Sequence, residues 1–155
     1  MEPRTAALWS KQDRHQGDRW RLFGAVVEGL AVRSGLYAGS YVDVALSFVV
    51  GTVTYVDTDK RAARFFADVE GVLELIADHR GPAEPDVTFI HADYTSQLDL
   101  PEESFDLLVS LYAGFVSEHC TQHLKIGGTL LVNPSHGDAA MASIDPRYQL
   151  SGTIH

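Results

Sequence analysis

Apolar positions along this chain follow two alternating rhythms. In "GDRWRLFGAVVEGLAVRSG", Trp20, Phe23, Val27 and Leu30 fall three and four apart, the spacing that gives a helix one buried stripe. Asp18 is suited to cap that helix and Gly35 to end it, so residues 18–34 read as an amino-terminal helix behind a polar lead over 1–17. Leu36 to Ala38 then reads as a very short strand and Gly39 as a turn. Val42, Ala45, Leu46 and Val49 continue at helical spacing up to Gly51. "TVTYVDTD", dense in β-branched residues, is a second strand ending near Asp57. Ala62, Phe66, Val69, Leu73 and Ile76 predict one further helix from Asp59 to Asp78.

"GPAEP" interrupts the chain, "DVTFIHAD" is a third strand and "DLPEES" a loop. "FDLLVSL" makes a fourth strand, followed by a helical stretch from about Ala113 to Leu124. "GGTLLVN" makes a fifth strand, and "YQLSGTI" has the composition of a sixth. Strands that are apolar throughout and alternate with helices belong in a parallel sheet covered on both faces. The expected fold is therefore α/β, a doubly wound, mainly parallel sheet with helices on both faces. Residues 1–155 form a single domain, with its core over 35–155, and ligands belong at the carboxyl ends of the strands. An alternative register, with "YVDVALSF" as the first strand, leaves only Leu46 to Thr52 for a crossover that needs about ten residues or more.

Composition sharpens this picture. With 45% hydrophobic and 21% charged residues over 155 positions, the chain buries a core of its own and is not disordered. A formal charge of -9 repels phosphate backbones, which argues against nucleic acid as a general partner. Arg4, Lys11, Arg14, Arg19, Arg21 and Arg33 concentrate basic charge in the first 33 residues, and Asp13 and Asp18 between them give the look of a solvated helix face. Cys120 is the sole cysteine, so no intrachain disulfide forms and a reducing compartment is expected. "MEPRTAALWSKQDRHQ" lacks the apolar run of a signal peptide, and Val42 to Val56 is too short to span a bilayer. A cytoplasmic protein without a membrane partner is expected.

The turn after the first strand meets a helix amino terminus in such folds, where free N–H groups favour polar or anionic ligand groups. Gly39 gives a ligand close approach there once, followed by Ser40 and Tyr41, so a GxGxxG dinucleotide fingerprint is absent. Asp57, at the end of the second strand, is placed either to accept both hydroxyls of a ribose or to cap the helix after it, and Asp59 suits the cap better. In "EHCTQH", His119 and His123 lie one turn apart beside Cys120, but the HExxH pattern is missing and no third ligand is indicated, so no metal is expected.

"GLYAGS", "VTYVDTD", "FIHADYTSQL", "FDLLVSLYAGFVSEH" and "LKIGGTLLVN", in that order, resemble the successive motifs of class I S-adenosylmethionine-dependent methyltransferases over roughly residues 20–133. The resemblance implies a Rossmann-like methyltransferase fold with S-adenosylmethionine as cofactor. It places Gly39, Ser40 and Tyr41 in the loop near the cofactor's amino-acid portion, Asp57 on the ribose and Asp93 near the adenine amino group. Ser110 and Tyr112 would face the methyl-transfer centre. The acceptor would be a small molecule or a protein, with Asn133, His136 and Asp138 of "NPSHGD" in the region where it would lie; His136 is available as a base, but an ordinary surface-loop histidine is the favoured reading. Two departures stand out: Tyr37 occupies the position of an acid, and Tyr41 that of a second glycine. The family usually completes its sheet with a final antiparallel hairpin, whereas this sequence stops at "LSGTIH"; a missing strand would leave an edge for a second copy of the chain to cover, and truncation is the equal alternative. The alternative is a non-enzymatic interaction or assembly domain of the same fold, with Tyr41 filling the cofactor's space.

Overall fold

The computed structural model describes residues 1–134 and 137–154. Strands β1 (Ser34–Ala38), β2 (Thr52–Asp57), β3 (Asp86–His91), β4 (Phe105–Ser110) and β5 (Leu124–Val132) form one parallel sheet in the order β3-β2-β1-β4-β5. The order reverses between β1 and β4, the switch point at which α/β sheets open a crevice at their carboxyl ends. Ala38 aligns with Val56 and Asp57 with His91, so the tips of β1, β2 and β3 stand side by side.

Along β1, Leu36 and Ala38 face one layer and Tyr37 the other; along β2, Val56 faces the first and Val53 and Tyr55 the second. Both faces are covered, which is why these strands read as unbroken apolar runs. The layers are unequal. One face carries α1 (Pro3–Gln12), α2 (Asp18–Val27), a 3-10 turn (Ala45–Phe48), α3 (Lys60–Ala67) and α4 (Val69–Asp78). There the His79 ring stacks on Phe48 at 4.0 Å while Trp9 and Trp20 meet it edge-on. The other face is closed by α5 (Val116–Cys120), the segment around Leu98, and Tyr148; α6 (Asp138–Ile144) packs beside α5.

Several expected elements take other forms. The polar lead contains α1, anchored by buried Thr5 and Trp9. The amino-terminal helix stops at Val27, because Gly29 turns into the left-handed region at φ +78°. The helix expected over 42–51 is only the 3-10 turn. The Tyr55 hydroxyl holds it there, donating to the Val44 carbonyl (3.1 Å) and receiving the Ser47 N–H (3.1 Å) and hydroxyl (2.6 Å). The run from Asp59 to Asp78 is two helices, because Asp68 leaves the helical conformation and caps α4 through the Gly71 N–H (3.0 Å). The helical stretch expected to reach Leu124 ends as α5 at Cys120 and a 3-10 turn over Thr121–His123, and β5 begins early, at Leu124. No strand forms in "YQLSGTI" among the described residues, so β5 is an edge of the sheet. No helix is long and apolar enough to cross a membrane among the described residues.

Candidate functional site

At the β1 tip, Gly39 adopts φ +68° and donates its N–H to the Val56 carbonyl at 2.7 Å. A Cβ on Gly39 would lie 2.3 Å from the Cβ of Ala113, so only glycine fits, and the segment after β4 rests directly on it. Ser40 is buried and donates its hydroxyl to the Tyr41 carbonyl at 3.2 Å. Tyr41 also takes the left-handed region (φ +52°), and its N–H donates to Asp57 Oδ2 at 2.8 Å. The Tyr41 ring packs against the helix-covered apolar cluster, with the Arg61 guanidinium 5.2 Å above its centre. That ring is occupied by packing on the α1–α4 side.

Asp57 Oδ1 accepts the Asp59 N–H at 2.8 Å, and Asp59 in turn caps α3 by accepting the Arg61 N–H at 2.7 Å. The cap falls to Asp59, while Asp57 ties the β1 loop to the start of α3. Each Asp57 oxygen accepts one N–H and keeps a further acceptor position. Asp93, just past β3, is exposed and accepts the Thr95 N–H (2.9 Å) and hydroxyl (2.7 Å); these bonds hold its carboxyl below the usual range.

On the β4 side, Ser110 is buried and donates to Asp138 Oδ2 at 2.5 Å. Asp138, in the first turn of α6, is fully buried and also receives the N–H and hydroxyl of Ser117. The Ser110 hydroxyl, placed by the resemblance towards the methyl-transfer centre, is therefore spent on α6. The Tyr94 hydroxyl donates to the Ala113 carbonyl at 2.8 Å and pins the segment lying on Gly39. Gly114, at φ +104°, lets Tyr94 approach, since a Cβ there would stand 2.6 Å from its hydroxyl. Tyr112 is 64% exposed, donates its N–H to Asn133 Oδ1 at 3.3 Å, and carries the Arg19 guanidinium 5.3 Å over its ring.

Arg19 leads to a buried polar cluster. Its Nη1 is 3.5 Å from the Tyr37 hydroxyl and 3.9 Å from Asp43. Asp43 accepts the Tyr37 hydroxyl at 2.7 Å and the Ala45 N–H at 3.2 Å. Burial raises the Asp43 carboxyl above its ordinary range, against the opposing pull of Tyr37 and Arg19. An acid is absent at position 37 of the strand, and the loop returns one to it as Asp43. Beside this cluster, a cavity of about 940 Å³ opens between the α1–α2 corner and the ends of β4 and β5, bordered by Arg19, Leu111, Tyr112 and Asn133.

Cys120 is buried, and burial first and the Asp138 charge second push its thiol up to about 12. His119 packs edge-on to Tyr94 at 6.0 Å, and a ring nitrogen of buried His123 lies 3.1 Å from the Pro101 carbonyl. No three potential metal ligands gather among the described residues. His136 lies outside the described residues.

These residues fit an adenosyl group unevenly. The free acceptor positions of Asp57, which pairs with His91 at the tip of β3, suit a ribose diol, while Asp93 lies two residues past that strand, bonded to Thr95. At Gly39 the space a ligand would use holds Ala113. Sequence reasoning identified Gly39 and Asp57 from their place at strand ends. It missed Ala113, Tyr94 and the Asp43 and Asp138 clusters; the one signal was glycine following Ala113 in "LYAGF".

No family model and no curated protein matches the sequence. Solved structures do match. A candidate methyltransferase from Bacillus halodurans superimposes with a TM-score of 0.50 at 18% identity, covering 71% of this chain and 49% of its own. An S-adenosylmethionine-dependent methyltransferase from Methanosarcina mazei gives 0.50 at 20% identity, covering 70% and 55%. A candidate O-methyltransferase from Klebsiella pneumoniae gives 0.60 at 13% identity, covering 94% and 80%. This chain spans about half the length of the first two. At these identities the likeness concerns architecture, and with the strand order above it establishes a Rossmann-like methyltransferase fold.

Proposed function

We propose that this chain is an S-adenosylmethionine-binding methyltransferase domain acting on a small molecule or a protein. Asp57 would hold the ribose, Asp93 would stand at the adenine end, and the loop Gly39–Ser40–Tyr41 would meet the amino-acid portion. When bound, the cofactor supplies a sulfonium methyl group that is already activated, so the chain's work is to align an acceptor and exclude water. The observation that carries this reading is the joining of two strand tips by one carboxylate. Asp57 fixes the Gly39 turn through the Tyr41 N–H and keeps acceptor capacity for a diol. The reading requires Ala113 to withdraw from Gly39.

Titration calorimetry with S-adenosylhomocysteine tests it. Binding is expected, and Asp57→Ala should weaken it by about 1–3 kcal/mol, the order for losing hydrogen bonds to a charged group. Circular dichroism would establish that the variant is folded. No binding up to millimolar ligand, or equal binding by the variant, would overturn the proposal.

A further inference from the structure

The cavity beside the β4 and β5 ends has a charge opposite to that of the molecule. Four cationic side chains border it (Lys11, Arg14, Arg19 and Arg21) against the carboxylates of Asp13 and Asp18, in a chain of formal charge -9. The sequence presents these basic residues as a solvated face, and Lys11, Arg14 and Arg21 are exposed in the fold; the α1–α2 corner places them along the border of a hollow.

Those charges are not cancelled evenly. Asp13 Oδ1 is engaged by the Gly17 N–H at 2.7 Å, and Asp18 lies 4.0 Å from Arg21. Arg21 also donates to the Gln16 carbonyl at 2.9 Å, and Arg19 is committed to the Tyr37–Asp43 cluster and to the Tyr112 ring. Lys11 and Arg14 have no ion pair among the described residues. The wall thus offers two uncommitted cations and one guanidinium fixed by a buried anchor.

We propose that this cavity binds a small organic oxyanion, a phosphate or carboxylate compound, and, resting on the methyltransferase reading, that this ligand is the methyl acceptor. Size and charge both select for a small anion. A volume of about 940 Å³ suits a small molecule, and ligands of α/β sheets enter at the carboxyl ends where Leu111, Tyr112 and Asn133 stand. At physiological salt, charges beyond about 8 Å are largely screened. A small anion inside therefore feels the cationic wall, while a polyanion draped over the surface meets the net negative charge.

The test uses amide-resolved NMR of the whole chain at about 0.15 M salt, titrated separately with inorganic pyrophosphate and with tricarballylate, which distinguishes phosphate from carboxylate preference. Saturable shifts confined to Lys11–Leu22 and Tyr112 are expected with at least one probe. The double variant Lys11→Ala/Arg14→Ala should bind that probe at least tenfold more weakly with an unchanged melting temperature. Arg33→Ala, at the opposite end of the sheet, should bind as the parent does. No saturable shift, shifts spread over the surface, or equal loss in both variants would overturn the proposal. S-adenosylhomocysteine affinity, measured on the same samples, reports on the methyltransferase reading separately: its absence together with cavity-confined anion binding sinks that reading and leaves the anion site standing.

Discussion

Tyr37 and Asp43 show how a single residue type can be misjudged in isolation. A tyrosine in a central strand reads as core, and its ring is indeed buried, packed edge-on to Phe23 at 5.7 Å. Its hydroxyl, however, is the closest donor to a fully buried carboxylate. Tyr37→Phe should destabilise the fold by about 1–3 kcal/mol in urea titrations, the cost of leaving a buried charged acceptor short of a partner. The pH dependence follows from the raised Asp43 carboxyl. Burial makes the folded state hold that proton more tightly than the unfolded chain does, so the group's contribution to stability is fully present below the unfolded pKa and lost as pH rises through the folded one. The penalty of Tyr37→Phe should accordingly be larger at neutral pH than in the acid range, where a protonated Asp43 needs the donor less; an equal penalty at both would contradict this. Single positions at strand ends, such as Gly39 and Asp57, were legible because the architecture assigns them a place. Pairings such as Ser110 with Asp138 were not, because no local pattern links residues so far apart in sequence.

Strands were easier to read than helices. β2, β3 and β4 carry enough β-branched and apolar residues to be recognised, and the structure moves their ends only slightly. Helices failed where side chains intervened in the backbone. Tyr55 holds the β1–β2 connection in a 3-10 turn, and Asp68 cuts one expected helix in two. Asp68 also accepts the Glu2 N–H at 2.9 Å, so it joins the start of α4 to the start of α1. Asp68→Ala should cost about 1 kcal/mol, the usual value of a lost helix cap, seen as a lowered melting temperature. An unchanged melting temperature would mean that the break at this position is set by something other than its carboxylate. The basic residues of α1 and α2 were legible as a charged surface, but the hollow they border depends on the angle between two helices, which periodicity does not encode.

At the scale of the molecule, the sheet lies between a thick layer and a thin one. α1–α4 pack four helices and an aromatic cluster against one face, whereas the other relies on the five-residue α5, loop segments and Tyr148. Fewer buried apolar contacts imply a lower local opening energy. Native-state hydrogen exchange should therefore find α5 and β5 opening before β1 and β2, and uniform protection across the sheet would refute the asymmetry. The parallel, doubly wound plan was readable from alternation alone; the imbalance of its layers was not, since it rests on how long each crossover stays helical. The contact between Gly39 and Ala113 binds two distant stretches of the chain into one constraint. Position 39 admits no side chain while 113 has one and the turn keeps its path. In related chains the two sites should consequently vary in concert, a gain of volume at either one matched by a retreat at the other.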